Sequence, residues 1–211
     1  MIYSAMVVYK NEKASPSKFL VNQKIGIFID AENIEMSGYS IYNGRTNYKK
    51  LIEAIGGIRQ ITRIIYYKPE HKEITEDFKK FWYEQGGEIN QPQKNVDAWL
   101  IIDAITMAEK LDVIVIVGGD KDYLPLIWYL KSRGCKAEVW SYPETCSQIM
   151  IDAADYFYGI DDKFTIRDTK SKPIRNSSSG DNNKSNQMKS KSKRYTGSKK
   201  PDQPKDPARS S

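Results

Sequence analysis

Four aspartates of this chain, Asp30, Asp97, Asp120 and Asp122, stand where their chemistry could be used. Asp30 closes the apolar run in Ile27-Phe28-Ile29-Asp30-Ala31-Glu32-Asn33, and Asp120 follows Val115-Ile116-Val117-Gly118-Gly119. Short, mostly β-branched runs of this kind read as buried parallel strands, so both acids fall at strand C-terminal ends, where open α/β sheets bind ligands. Asp97, in Lys94-Asn95-Val96-Asp97, must arrive from a helix. Asn95 is a favoured N-cap type, which puts Asp97 in the first turn of a helix expected over 96–110, at the positive end of its dipole. Carboxylates gathered at one point repel one another unless a divalent cation lies among them, and hard oxygen donors suit Mg²⁺ or Mn²⁺. The pattern predicts a metal site.

Each residue also has a plainer use. Asp30 and Asp120 suit the N-caps of whatever follows them, and for Asp122 capping the next helix and binding metal are equally open. Asp103, six residues after Asp97, lies about 240° around the helix and cannot share its face, so it ranks below the others. Asn33 fits a turn after the first strand better than a phosphate contact. Lys94 and Lys121 can touch phosphate or simply be solvated. Gly118-Gly119 is more telling, because side-chain-free backbone beside a carboxylate allows a tight turn and the close approach of a metal or phosphate.

The elements that must position these groups alternate along the chain. Strands are predicted at 24–29, 61–67, 88–90, 113–117, 137–140 and 156–158, and helices at 48–55, 73–84, 96–110 and 123–133. Strands interleaved with helices imply right-handed crossovers and an α/β fold, with a mainly parallel sheet covered on both faces.

Composition divides the 211 residues into an N-terminal extension (1–22), one domain (23–166) and a tail (167–211). The net charge of +6 is uneven: residues 167–211 hold 13 Lys and Arg against 4 Asp, an excess of +9, which leaves the body at −3. Beyond Ser171 only Ile174, Met188 and Tyr195 are large apolar or aromatic residues, so the tail is expected to be disordered, a basic arm suited to phosphate. Two cysteines without a C-x-x-C and one histidine exclude the usual zinc sites. No apolar run approaches the roughly 20 residues of a membrane span, and the first residues lack a signal-peptide pattern. The expectation is a soluble, cytoplasmic protein, with homo-oligomerisation left open. No G-x-x-x-x-G-K-[ST] is present, which argues against a nucleoside triphosphate switch.

Several motifs in order carry a family resemblance: Phe28-Ile29-Asp30-x-x-Asn33; Lys94-x-Val96-Asp97 with Asp103 six residues on; Gly118-Gly119-Asp120-x-Asp122-Tyr123-x-Pro125-Leu126; Gly134 to Val139; and Ser147 through Ala154-Asp155-Tyr156-Phe157. Together they resemble the NYN domain of the LabA type, within the PIN-like nuclease group, over about residues 23–160. The resemblance implies a PIN-like three-layer α/β/α sandwich and a Mg²⁺- or Mn²⁺-dependent ribonuclease, its metal held by Asp30, Asp97 and Asp120 with Asp122 as the fourth acid. It also implies products with a 5′-phosphate and a 3′-hydroxyl. RNA is the expected partner, with Asn33, Lys94 and Lys121 as candidate contacts. One departure is Gly118, where family members commonly have Ser. A non-catalytic RNA-binding or regulatory adaptor on the same fold is the alternative. An aspartyl-phosphatase reading fails on its Asp-x-Asp, which is Asp30-Ala31-Glu32 here.

Overall fold

Strand β1 (Lys24–Asp30) is buried at every residue after Lys24, as only a central strand covered on both faces can be. The computed structural model, which describes residues 23–167, pairs it in parallel with β3 (Gln60–Tyr67) on one side and β5 (Val113–Val117) on the other. Beyond β3 lies β4 (Glu88–Asn90), and beyond β5 come β6 (Lys136–Ser141) and β7 (Tyr156–Gly159). The order is β4-β3-β1-β5-β6-β7 with every pairing parallel. The chain therefore works outward from β1 to β4 and returns to the other side of β1 with β5. Between β1 and β5 the order reverses, and the crevice at their C-terminal ends is the place such sheets offer a ligand.

Alternation along the strands feeds two cores. Ile25, Ile27 and Ile29 of β1 and Val113, Val115 and Val117 of β5 point to one face. There they meet Ile34 of α1 (Ala31–Tyr42), Leu51 and Ile55 of α2 (Tyr48–Gly56) and Trp82 of α3 (Glu76–Glu84). Phe28, Ile114 and Ile116 point to the other. They meet Leu100 of α4 (Val96–Met107), Ile127 of α5 (Leu124–Ser132) and Met150 of α6 (Gln148–Ala153). The result is the expected α/β/α sandwich. An antiparallel ribbon of β2 (Gly44–Thr46) and β8 (Thr165–Arg167) stands apart from the main sheet.

Several boundaries move for local reasons. Helix α3 starts at Glu76 rather than Glu73, because the Thr75 hydroxyl caps it by accepting the Phe78 N–H at 3.3 Å. Helix α4 stops at Met107, short of Lys110. Helix α5 begins at Leu124, because residues Lys121–Tyr123 first make a 3-10 turn. Arg167, placed in the tail by composition, is the last residue of β8. The extension 1–22 and the rest of the basic tail lie outside the described residues. Among the described residues no helix is long and apolar enough to cross a membrane.

Candidate active site

Asp30 ends β1 and caps α1, its Oδ1 accepting the Asn33 N–H at 3.1 Å. Capping and site-building are thus one job, because a strand passing directly into a helix holds its junction residue over the sheet edge. The side chain is almost closed off, at 6 % exposure. Its Oδ2 accepts the Tyr123 hydroxyl at 2.9 Å. Burial pushes its carboxyl up to about 6; the Asn33 and Tyr123 hydrogen bonds oppose the rise, and the charges of Asp97 and Asp120 add to it.

Asp97 reaches the same phenol from α4: its Oδ1 lies 2.6 Å from the Tyr123 oxygen. It occupies the first turn of that helix, as expected. Asn95 is at the cap position but makes no side-chain cap hydrogen bond; it holds a left-handed backbone (φ 55°) that turns the chain into the helix. Asp103 is engaged separately from Tyr123: its Oδ2 accepts the Tyr67 hydroxyl at 2.8 Å.

Tyr123 is the residue to which sequence reasoning assigned no chemistry, having read it as a helix start and a motif position. A phenol carries one proton, yet two carboxylates stand at hydrogen-bond distance from this one. With both acids ionised, only one contact can be a hydrogen bond, and the other sets lone pair against lone pair. A proton on Asp30 or a cation relieves that conflict. Burial, the Asp30 and Asp97 charges and the hydrogen bonds to them raise the Tyr123 hydroxyl far above its ordinary range, so it remains a neutral donor. The signal for its role lay in its place, directly after Asp120-Lys121-Asp122.

Asp120 follows the Gly118-Gly119 turn and caps the 3-10 turn, its Oδ1 accepting the Asp122 N–H at 3.0 Å. Asp122 itself is exposed and does not cap α5, which has no side-chain cap and carries Pro125 in its first turn. Asn33 does more than serve a local turn. Its Oδ1 accepts the Gly119 N–H at 2.9 Å, tying the start of α1 to the end of β5 across 86 residues of chain. A Cβ at Gly118 would come to 3.3 Å from the Asp30 Cβ and 3.5 Å from the Tyr123 ring, so the glycine lets the end of β5 pack closely against both. Lys94 and Lys121 are both exposed, each within three residues of a site acid along the chain.

Every candidate donor is a hard carboxylate oxygen, and the shared phenol proton shows negative charge in excess at Asp30, so the donor chemistry suits Mg²⁺ or Mn²⁺. Among the described residues no group of three acidic, histidine or cysteine side chains is already arranged to hold a metal ion. Cys135 and Cys146 are free thiols, both pushed up to about 11 chiefly by burial, which leaves them protonated at neutral pH.

A family model of the NYN domain matches residues 24–161. Of solved structures, the fold is similar to that of a protein of unknown function from Vibrio parahaemolyticus RIMD 2210633, with a TM-score of 0.63 and 23% identity over 69% of this chain and 98% of that one. No curated protein matches the chain.

Proposed function

Because the chain belongs to the NYN domain family, whose members are generally nucleases, we propose that it is a metal-dependent ribonuclease hydrolysing RNA phosphodiester bonds at the β1–β5 crevice. The observation that carries this reading is Tyr123: two carboxylates share its single proton while Asp120 adds its charge to Asp30. A fold spends such crowding where a cation will be bound. Asp30, Asp97 and Asp120 are the residues to hold Mg²⁺ or Mn²⁺, with Asp122 as a fourth, outer acid. When bound, the metal supplies an acidified water and stabilises charge on the attacking and leaving oxygens.

The chain's own groups do the rest. Tyr123 fixes Asp30 and Asp97 in mutual orientation, as outer partners of ligating carboxylates do. The bond from the Gly119 N–H to Asn33 holds the Asp120 turn against the start of α1. Gly118 lets the end of β5 pack closely against Asp30 and Tyr123. Lys94, Lys121 and the basic residues of 167–211 contact phosphates, which positions RNA but reads little sequence. The products carry a 5′-phosphate and a 3′-hydroxyl.

The test is cleavage of labelled single-stranded and structured RNA by the purified protein with Mn²⁺, Mg²⁺ or a chelator, alongside Asp120→Asn. Metal-dependent cleavage by the wild type, abolished in a variant whose melting temperature in chelator holds or rises, is the expected result. Full cleavage by Asp120→Asn would remove Asp120 from the site. RNA binding without cleavage under any metal would make the protein an adaptor.

A further inference from the structure

The two helical layers present different surfaces to water. On α3 the exposed positions are Glu76, Asp77, Lys80, Tyr83 and Glu84, nearly all charged, as the solvent side of a surface helix is expected to be. On α4 they are Ala98, Trp99, Ile102 and Thr106, and none carries a charge. Its neighbour α5 continues the pattern with Pro125, Trp128, Tyr129 and Ser132, because Lys131 turns aside to give its Nζ to the Ala153 carbonyl of α6 at 2.8 Å. Helix α6 adds Ile149. The three helices are neighbours: the Lys131 bond joins α5 to α6, and an ion pair between Glu109 and Arg133 joins the end of α5 to the turn after α4.

Trp99 is 48 % exposed, Ile102 54 % and Trp128 58 %. A whole aromatic side chain covers about 150–250 Å², so these three with Tyr129 and Ile149 offer on the order of 500 Å² of surface. A standard interface takes about 800 Å² from each partner, and in homodimers roughly two-thirds of it is apolar, a share that this patch matches. Charge then selects the occupant. In a twofold pairing, residues near the axis meet their own copies, so a charged face repels itself and an uncharged one does not. A nucleic acid would need cations, and the exposed positions of this patch offer none.

We propose that the outer face of α4 and α5, with Ile149 of α6 at its edge, is the interface through which two copies of this chain form a twofold dimer. Trp99 lies about 200° around α4 from Asp97, so pairing uses the side of the helix that faces away from the carboxylates. The proposal is independent of the ribonuclease reading.

The experiment is sedimentation of the full chain across a dilution series, for wild type, Trp99→Lys, Trp128→Lys and Tyr83→Lys. Wild type is expected to pass from monomer to dimer as concentration rises. Each tryptophan variant should weaken dimerisation at least about thirtyfold, the loss of a central aromatic anchor, while Tyr83→Lys on α3 leaves it unchanged. Melting temperatures at dilutions where wild type is monomeric should agree among all four. The unmodified protein supplies a second readout: Trp82 and Trp140 are buried, so acrylamide quenching of its fluorescence reports on Trp99 and Trp128, and it should fall as the dimer forms. A chain that stays monomeric at every concentration overturns the proposal. So does a dimer that both tryptophan variants retain, or one whose formation leaves quenching unchanged.

Discussion

The sheet carries two nearly buried acids, Glu138 on β6 and Asp30 on β1, and it treats them in opposite ways. Glu138, 1 % exposed, receives Arg59 Nη1 at 2.7 Å on one oxygen, with Arg59 Nη2 at 3.1 Å and the Trp140 indole N–H at 2.6 Å on the other. Its charge is matched by a guanidinium in bidentate contact, the arrangement that makes a buried acid tolerable. Asp30 instead has an amide, a phenol shared with a second acid, and the charge of a third nearby. Where a carboxylate serves the framework, this protein pairs it. In the proposed metal site, the Asp30 charge is the one a cation from solution would match.

The largest effect should come from breaking the paired acid. Arg59→Ala leaves Glu138 buried without its cation and is expected to cost about 3–5 kcal/mol in urea unfolding, the usual penalty for orphaning one partner of a buried pair. A cost below 1 kcal/mol would erase the contrast. Asp30→Asn should do the reverse in metal-free protein. The folded carboxyl lies at about 6 against 3.8 in the unfolded chain, so between these values the native state binds the extra proton and stability falls as pH rises. Removing the acid should therefore stabilise at pH 7 by at most about 3 kcal/mol and make no difference below about pH 4, which thermal melts across pH will read. A gain that persists at pH 3.5 would mean the charge is not its cause.

Smaller effects sharpen the same comparison. Tyr123→Phe takes the shared donor from both acids, and the expected result is a 10- to 100-fold loss of Mn²⁺ affinity or cleavage, the scale found for outer partners of ligating groups. Metal titration of that variant decides it, and full affinity would reduce Tyr123 to packing. Smallest should be Asp103→Ala, which loses only the Tyr67 hydrogen bond, about 1 kcal/mol of stability, with metal affinity retained. Asp97→Ala by contrast should lose most metal binding. Equal losses in the two variants would misplace the site on α4.

The parts of this architecture that were readable share a property: their signal is local. Runs such as Val113–Val117 announce a covered parallel strand, and the position of an acid at the end of one announces the sheet's ligand edge. Asp97 was readable because a helix's first turn has its own electrostatic preference. The Tyr123 bridge, the bond from Gly119 to Asn33 and the β2–β8 ribbon were not, since each joins residues far apart in sequence through contacts that leave no periodicity. Helix α1 was hidden by its composition, where Ser37 and Gly38 are buried; a Cβ at Gly38 would come to 2.7 Å from the Tyr142 hydroxyl oxygen. The Gly reads as a helix breaker until the neighbouring ring is seen.

The position of β1 between β3 and β5 also sets a timetable. Strand β1 is made before β5, so its second edge stays open until β5 arrives, and the Lys24 N–H meets Asp112 Oδ2 across 88 residues of chain. Asp120 and Tyr123 follow later still, so a nascent chain carries Asp30 and Asp97 for dozens of residues without the groups that complete their crevice. At ordinary elongation rates that interval lasts seconds. On the proposed reading, a centre that needs Asp120 and Tyr123 stays incomplete until they follow Asp30 and Asp97 out of the ribosome, and any truncation before β5 should yield a chain that cannot cut.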